Sequence, residues 1–527
     1  MKRRLFFKTA AAASVLPVSL NGMSLRTFGE NSLFSVLGKR SNVSDRVLVI
    51  IQLNGGNDGI NMVVPLDQYS NLSKARSNVL LDETKVLKLN GTTKTGLHPK
   101  MTGLQQMFNN GIVSAIQGIG YPQPSFSHFR ATDIWMSASD SDKMVATGWM
   151  GRYLDKRYPN FPTGYPNTTM PDPVAIQIGP LVSLNFMGPS VSMGMAITDP
   201  TTFYNLVDGN TGSSGSTPKD LELAFIRELT QQTNEYATVV KNAAGKGKNL
   251  STKYGTGNSL ADQLKIVAKL ISGGLKTPVY MVSLGGFDTH SNQVDTTDTS
   301  NGTHATLMQK LSDGIAAFQD DLNLLGISDR VVGMTFSEFG RRIQSNASGG
   351  TDHGAAAPMI VFGDAVQPGV IGNSPTIPGT TTVNDNVPMQ FDFRQVYASV
   401  LQDWFELPAS DIKLLLNGTD FNTLPIFKNN PMGIDDIADL LTQVEISNVW
   451  PNPSNGKFKL SFNCDGGGKL GISVFNPLGE RVLYYEPKEY GIGNFEIDFD
   501  LTGMRNGNYI VQIHANQKTV SRLIYKI

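Results

Sequence analysis

One apolar run that ends in a pair of glycines constrains this chain most. Val279–Leu284 carries no charged residue, and such a run is typical of a strand that is buried on both faces. Gly285 and Gly286 follow it directly, and glycine permits the sharp backbone turn that ends the strand. Asp288 and His290 come next. The run therefore predicts a central strand that delivers a carboxylate and an imidazole to one edge of a sheet.

Other segments repeat this arrangement of a strand followed by a polar turn. Arg46–Leu53 and Val331–Phe336 are also largely apolar, and glycine-containing turns lie after them and at residues 350–354. The acids and the imidazole of these turns are Asp58, Glu338, Asp352 and His353. Each one alone would be read as a turn former. Because ligands of parallel sheets lie beyond the carboxyl ends of the strands, we expect all of them to share one site with Asp288 and His290.

Helical patterns alternate with strand patterns from about residue 45 to residue 430. Further buried strands are predicted at Ile112–Ile119 and Pro358–Phe362. Apolar spacing and terminal residues predict helices at Pro99–Asn110, Lys219–Lys241, Ser259–Ser272, Thr306–Leu325 and Phe391–Phe405, and one that starts at Ser127. Strands that alternate with helices predict an α/β fold, with a mostly parallel sheet sandwiched by helices.

The composition limits the class of protein and its partners. A length of 527 residues, of which 17% are charged, predicts a globular protein with two or three folded units. Its formal net charge of −1 gives no support for a nucleic-acid partner. After the first residues, no run approaches the roughly 20 apolar residues of a membrane span. We therefore expect no transmembrane anchor.

The residue types at the shared edge suit a divalent metal ion. Carboxylates and imidazoles without thiolates favour zinc, manganese, magnesium or calcium. Two such ions can clamp both oxygens of a displacement at phosphorus or sulfur, which makes an anionic ester the candidate substrate. The predicted metal ligands are Asp58, Asp288, His290, Glu338, Asp352 and His353.

A hydrolytic site also needs a nucleophile. Ser127 is the candidate, because the free N–H groups at a helix start attract an anionic ester. The alternative, in which Ser127 only caps the helix, stays open. His128 is expected to act as a base or a ligand, and Arg341 to hold an oxyanion. Ser127, His128 and Arg341 form the predicted catalytic set.

The two ends of the chain differ from this main part. Lys2-Arg-Arg-Leu-Phe-Phe-Lys8 precedes a short apolar stretch, a pattern typical of an export signal over residues 1–25. The paired arginines resemble a twin-arginine signal, so the twin-arginine translocase is an expected partner. An ordinary secretory peptide is the alternative. After a predicted linker at 431–446, residues 447–527 show short alternating segments and frequent turns, which predict a small all-β sandwich.

The ordered motifs of residues 45–430 resemble a known family. They are Leu53-Asn-Gly-Gly-Asn-Asp-Gly-Ile-Asn61, Leu97-His-Pro99, Ser127-His-Phe-Arg130, Gly148-Trp-Met-Gly-Arg-Tyr-Leu154, Gly285-Gly-Phe-Asp-Thr-His290, Ser337-Glu-Phe-Gly-Arg341 and Gly350-Thr-Asp-His-Gly354. They look like the domain-of-unknown-function 1501 family, which is similar to the alkaline phosphatase and sulfatase superfamily. The resemblance implies an alkaline phosphatase-like sandwich with metal ligands after its strands. The spacing of Asp288 and His290 is shorter than in phosphatases, and Glu338 stands where an Asp is usual.

The tail resembles the C-terminal sorting domain of the type IX secretion system. The resemblance rests on the Pro451-Asn-Pro453 opening, the hairpin Phe475-Asn-Pro-Leu-Gly-Glu-Arg-Val482, the strand Gly507-Asn-Tyr-Ile-Val511 and a basic last strand. It implies a Bacteroidetes-type outer membrane, the type IX machinery as partner, and a position outside the cell or on the outer-membrane surface. A carbohydrate-binding module is the structural alternative.

These features together predict an exported, metal-dependent hydrolase of phosphate or sulfate esters. An extracellular glycan could carry such an ester. The alternative is a non-catalytic surface or binding protein that keeps the phosphatase-like fold. Metal content and turnover distinguish the two hypotheses.

Overall fold

The structure is a computed structural model that describes residues 45–199, 235–428 and 443–527, apart from 466, 467, 478, 492, 516 and 517. It also describes two short paired strands, Ser19–Leu20 and Met23–Ser24. The rest of the predicted export signal, most of the predicted linker and most of the predicted helix Lys219–Lys241 lie outside the described residues. The chain divides into two compact units, of which the first is Lys39–Lys428 and the second contains the tail from Asn429 to Ile527.

The first unit is built around a nine-stranded sheet. Its strands in chain order are β1 (Val47–Asn54), β2 (Val113–Gly120), β3 (Ala175–Ile178), β4 (Met195–Ile197), β5 (Val279–Gly285), β6 (Val331–Phe336), β7 (Ala357–Phe362), β8 (Gly369–Ile371) and β9 (Phe391–Asp392). The order across the sheet is β8-β2-β7-β6-β1-β5-β3-β4, and β9 also pairs with β2. Only β7 runs antiparallel to its neighbours among these nine strands. The predicted mostly parallel sheet is confirmed.

Helices cover both faces of the sheet, because alternate residues of a strand point to opposite sides. In β1, Leu48 and Ile50 join one apolar cluster, whereas Val49 and Ile51 join the other. The helices that contribute to the first cluster are His128–Ser137, Trp149–Arg157, Phe393–Ser399 and Ala409–Leu415. Those that contribute to the second are Thr102–Asn109, Ser259–Ser272 and Thr303–Leu325. The predicted sandwich of helices around a sheet is therefore confirmed.

Shorter elements complete this unit. They include the helices Gly59–Met62 and Tyr69–Ala75, the π-helical turn Val400–Trp404, the three-stranded sheet Val63–Pro65, Leu87–Leu89 and Thr92–Leu97, and the hairpin Arg341–Ser345 with Thr351–His353. Residues 235–246 are also helical. In the parts of the chain that the structure describes, no helix is both long and apolar enough to cross a bilayer.

The register of the central strands brings several loops to one edge. Leu284 of β5 pairs with Leu53 of β1, and Phe336 of β6 pairs with Gln52 of β1. The three strands therefore end together. Because β7 runs the opposite way, the hairpin that precedes it in the chain also arrives at this edge.

The tail forms two antiparallel sheets. One contains Gln443–Trp450, Lys457–Asp465 and Gly493–Asp500, and the other Gly468–Phe475, Arg481–Tyr490, Gly507–Ala515 and Lys518–Lys526. The two sheets share one apolar cluster that includes Phe462, Val474 and the lone cysteine, Cys464. The predicted all-β sandwich is confirmed, and its first strand begins at Gln443, inside the predicted linker.

Candidate metal centre

Four side chains meet beyond the carboxyl ends of the central strands. Asp288 and His290 follow β5, His353 ends the hairpin before β7, and His128 begins the helix His128–Ser137. Asp288 Oδ1 lies 3.2 Å from Nε2 of His290 and 3.2 Å from Nε2 of His353. Its Oδ2 lies 3.4 Å from Nε2 of His128. We name His128, Asp288, His290 and His353 the Asp288 cluster.

Each histidine of the Asp288 cluster has its Nδ1 beside an oxygen acceptor. Nδ1 of His128 lies 2.8 Å from Glu338 Oε1, and Nδ1 of His290 lies 3.0 Å from Asp352 Oδ1. Nδ1 of His353 lies 2.8 Å from the carbonyl oxygen of Phe126. Carboxylate and carbonyl oxygens accept hydrogen bonds, so the ring proton belongs on Nδ1 in each neutral imidazole.

The Nε2 atoms therefore carry no proton, and their lone pairs point towards Asp288. His290 Nε2 and His353 Nε2 are only 2.9 Å apart. Two lone pairs and a carboxylate at such distances repel one another unless a proton or a cation lies between them. Ligand atoms of His128, Asp288 and His353 all lie within 4.8 Å of one another, so this group could hold a metal ion.

The charges around Asp288 favour its ionised form. Burial would raise the pKa of this carboxyl, but the hydrogen bond and the positive charge of Arg341 help to hold it low, at about 2. Burial lowers the pKa of His353 from its ordinary value, which favours the neutral imidazole that binds metals. The Asp352 pKa is lowered mainly by a hydrogen bond from the Asn346 side chain. The cluster is accessible, since the side chains of Asp288 and His290 are 48% and 45% exposed.

Arg341 joins the loops that carry the cluster. Its side chain is fully buried, and its Nη2 donates to Asp288 Oδ1 at 2.6 Å. The same guanidinium donates to the backbone carbonyls of Gly56, Phe287 and Thr351. Arg341 was predicted to bind an oxyanion, but in the structure its guanidinium binds the Asp288 carboxylate.

Glycines allow these loops to approach one another. A Cβ on Gly55, which has a φ of +123°, would lie 2.3 Å from the backbone nitrogen of Asp288. A Cβ on Gly350 would lie 2.4 Å from the carbonyl carbon of His290. Contacts this short are sterically forbidden to any side chain. The glycines of the sequence motifs are therefore needed for the close packing of the cluster's loops.

Glu338 and Asp352 were both predicted as metal ligands. In the structure they contact the Nδ1 atoms of two histidines instead. Glu338 is 2% exposed, and its Oε1 accepts from the Gly55 N–H at 2.8 Å as well as contacting His128. Asp352 accepts from Asn346 at 3.0 Å and contacts His290. In metal sites, acceptors at this position orient the imidazole and select its tautomer.

Asp58, the first predicted ligand, is placed in a fully buried ion pair. Both of its oxygens lie 3.0 Å from Arg76 Nη1, and Oδ2 also accepts from Gln293 Nε2 at 2.6 Å. Burial would raise the pKa of Asp58, but the Arg76 charge and its hydrogen bond hold that pKa below the ordinary value. A guanidinium and an amide thus occupy the oxygens that were predicted for a metal.

Ser127 is exposed and occupies the N-cap position of its helix, but its hydroxyl makes no cap hydrogen bond. Its neighbour Arg130 is engaged by the carbonyls of Asp140, Ser141 and Lys143. Arg342 donates to the carbonyl of His353 at 2.8 Å and lies over the Phe126 ring. Arg342 therefore supports the hairpin that carries His353, whereas Arg130 holds the segment from Asp140 to Lys143.

Two buried histidines lie behind Asp58 and make stability depend on pH. Burial lowers the pKa of His98 to about 3 and that of His304 to about 4. The unfolded chain therefore takes up these protons first, so stability is complete above the ordinary histidine pKa of about 6.5 and falls as the pH drops towards 4. In this range each histidine changes the free energy of unfolding by up to ~1.4 kcal/mol per pH unit.

We expect His98→Asn to remove the part of this pH dependence that comes from His98. Asn keeps an acceptor for the Lys100 N–H, which His98 Nδ1 accepts at 3.1 Å, and it does not titrate. Urea unfolding at pH 7.5 and pH 5 should show a smaller loss of stability in the variant than in the wild type. An equal loss in both proteins would contradict the prediction.

The fold and the cluster define an α/β protein with a histidine–carboxylate centre at the carboxyl edge of its sheet, followed by a β-sandwich. Residues 212–416 match the family described as protein of unknown function (DUF1501). Residues 448–526 match the secretion system C-terminal sorting domain. Both family resemblances of the motifs are thereby confirmed. No curated protein matches the chain.

Solved structures of the alkaline phosphatase and sulfatase superfamily are among its structural neighbours. An alkaline phosphatase superfamily protein from Vibrio parahaemolyticus is 9% identical, with 92% of this chain and 79% of that chain covered and a TM-score of 0.31. The PsFucS1 sulfatase from Pseudoalteromonas sp. is 11% identical, with 88% and 85% covered and a TM-score of 0.33. At these scores the likeness is distant.

The sorting tail shows that the chain is exported to the cell surface or the extracellular space. It also implies the secretion machinery as a partner. The predicted localisation is confirmed. The twin-arginine signal and its translocase stay predictions.

Sequence patterns did not indicate several residues of the site. Arg76 and Gln293 are buried polar side chains outside the sequence motifs, and the buried Thr289 and Thr351 lie within motifs but were given no role there. Gln293 contacts Asp58 across 235 positions of the chain. A single sequence carries no local signal for such a contact.

Proposed function

We propose that the chain is an exported metal-dependent hydrolase of phosphate or sulfate esters with a single metal ion. Its ligands would be His128, Asp288, His290 and His353. The observation that supports the proposal is the arrangement of the three imidazoles. Each has an oxygen acceptor at Nδ1, and each turns its Nε2 towards one ionised carboxylate.

The donor set favours zinc. Imidazole nitrogens suit zinc and other borderline ions, whereas magnesium and calcium prefer shells of oxygen. Three histidines and one carboxylate would fill four positions on zinc, and an ester oxygen or a water molecule would then enter as a fifth ligand. Zinc is therefore the first choice among the zinc, manganese, magnesium and calcium ions that the sequence suggested.

A single ion agrees with the place of Asp58. The carboxylate that would bind a second ion already has a permanent cationic partner, Arg76, at 3.0 Å. Both side chains are fully buried. Displacing the guanidinium would leave a buried charge without a partner, which is strongly unfavourable.

The chain's own residues have distinct tasks in this proposal. Asp288 and the three imidazoles would bind the metal ion. Glu338, Asp352 and the Phe126 carbonyl keep the ring protons of these imidazoles on Nδ1. Arg341 keeps Asp288 ionised and in place. A divalent ion bound here would supply Lewis acidity towards an ester oxygen and lower the pKa of a water molecule.

Ser127 is the proposed nucleophile. It is exposed, adjacent to His128, and its hydroxyl does not cap the helix. We expect Ser127→Ala to reduce kcat by at least about 100-fold, because covalent catalysis would be lost, and to leave zinc affinity unchanged. Steady-state kinetics and zinc titration of the same preparation measure both. Ser125→Ala, two residues earlier, is the matched control. Unaltered turnover in Ser127→Ala would assign the attack to water.

The proposed function is tested on the purified full chain. We expect the metal-stripped protein to gain hydrolysis of an aryl phosphate or an aryl sulfate when one equivalent of zinc is added. Magnesium and calcium serve as comparison ions. Zinc binding without turnover of either ester class would favour the non-catalytic surface protein, and the absence of zinc binding would contradict the metal centre.

A further inference from the structure

One uncharged side chain connects the two segments that carry the cluster. Gln293 is fully buried. Its Oε1 accepts from the hydroxyl of Thr289 at 3.0 Å and from that of Thr351 at 2.7 Å. Thr289 lies between Asp288 and His290, and Thr351 directly precedes Asp352 and His353. The amide therefore spans the gap between the loop after β5 and the hairpin before β7.

The other end of the same amide is held by the buried ion pair. Gln293 Nε2 donates to Asp58 Oδ2 at 2.6 Å, and Asp58 is held by Arg76. A carboxylate can only accept, so it determines which way the Gln293 amide faces. The carbonyl oxygen is thereby directed at the two threonine hydroxyls.

Arg76 in turn is attached to the hairpin. Its Nε donates to the carbonyl of Ile343 and its Nη2 to that of Arg342, each at 3.0 Å. The network of Arg76, Asp58 and Gln293 thus connects the turn after β1, the loop after β5 and both strands of the hairpin. These segments are far apart in the chain and supply three of the four ligands of the cluster.

We propose that Gln293 is a positioning residue for the metal centre, acting through Thr289 and Thr351. It keeps His290 and His353 at the separation that lets both bind one ion with Asp288. The inference rests on the proposed metal centre and goes beyond it, because it assigns metal affinity to a buried amide that touches neither ion nor substrate.

A purely structural role would have a different consequence. If the network only stabilised the fold, its loss would lower the free energy of unfolding and leave the affinity of the folded protein for zinc unchanged. If the network positions ligands, affinity falls even where the protein remains folded. Groups that hold metal ligands in place typically contribute 10–100-fold in affinity.

The test compares two substitutions of Thr351 in the full chain. Thr351→Val keeps the shape and removes the hydroxyl, whereas Thr351→Ser keeps the hydroxyl. Zinc affinity is measured by competition with a chromophoric chelator, and cobalt(II) absorption spectra report ligand geometry. We expect about a tenfold or greater loss of zinc affinity and an altered cobalt spectrum in Thr351→Val, with values close to wild type in Thr351→Ser.

Two further variants separate the possible outcomes. Thr277→Val is the matched control, because Thr277 is also buried and its hydroxyl donates to the Pro173 carbonyl at 2.6 Å, just before the start of β5. It should alter stability without altering zinc affinity. Thr289→Val provides the second test if Thr351→Val does not fold.

Equal zinc affinity in the wild type and the folded valine variants would overturn the role of Gln293 and leave the metal centre intact. Failure of the wild-type chain to bind zinc or cobalt would overturn the metal centre and this inference together. The two failures are therefore distinguishable.

Discussion

Asp288→Asn should strongly weaken metal binding and any ester hydrolysis that depends on it. Asp288 is the one cluster residue within 3.4 Å of Nε2 atoms from all three histidines. The substitution keeps the size of the side chain but removes the negative charge that a cation would meet. Because loss of a supporting group already costs 10–100-fold, we expect the zinc affinity to fall by more than about 100-fold.

Isothermal titration of the full chain with zinc measures this change. Asp352→Asn is the informative comparison, because Asp352 contacts only Nδ1 of His290 within the cluster and should lose about tenfold. Asp295→Asn, on an exposed loop, serves as the neutral control. Wild-type affinity in Asp288→Asn would show that the histidines bind zinc without the carboxylate or that the metal lies elsewhere.

Arg76→Met should cause the largest loss of stability. The side chains of Arg76 and Asp58 are both fully buried. The substitution leaves the Asp58 carboxylate buried with one remaining donor, Gln293. Removing one partner of a buried ion pair typically costs about 3–5 kcal/mol, and urea unfolding at neutral pH measures this cost.

Two control variants make the cause of that loss testable. Asp58→Asn in the Arg76→Met background removes the unpaired charge while keeping an acceptor for Gln293, so it should recover part of the lost stability. Arg46→Met removes a buried guanidinium whose partner, Glu406, is 50% exposed, and should cost less. Similar losses for Arg46→Met and Arg76→Met would contradict the importance of the buried pair.

The strands near the site were predictable because each is a continuous apolar run. β6 has the predicted bounds, and β1, β2, β5 and β7 begin or end within one residue of the predictions. β3, β4, β8 and β9 were missed, because strands of four residues or fewer provide too little pattern. The antiparallel direction of β7 was also unpredicted, because apolar runs carry no sign of direction.

The candidate site was predictable as a set of turns and not as a set of contacts. The positions of Asp288, His290 and His353 follow from residues that flank strands at a common edge. The sequence pattern does not show which acidic groups face the centre of the cluster and which ones instead contact its histidines. Glu338 and His128 are 210 positions apart, and the choice between ligand and support depends on which imidazole nitrogen each oxygen meets.

The partner of Asp58 was also not predictable from the sequence. Its position after β1 agrees with a ligand, and its glycine-rich turn agrees with a site. Its partner Arg76 lies 18 positions away, in a segment with no motif. Only the folded structure brings that guanidinium to both oxygens of the carboxylate.

X-ray absorption spectroscopy at the zinc edge tests the central claim most directly. For the full chain loaded with one equivalent of zinc, we predict a first shell at about 2.0–2.1 Å that contains three imidazole nitrogens, and one imidazole fewer, or no bound zinc, in His353→Ala. An oxygen-only shell, or a spectrum that His353→Ala leaves unchanged, would contradict a metal centre at the Asp288 cluster.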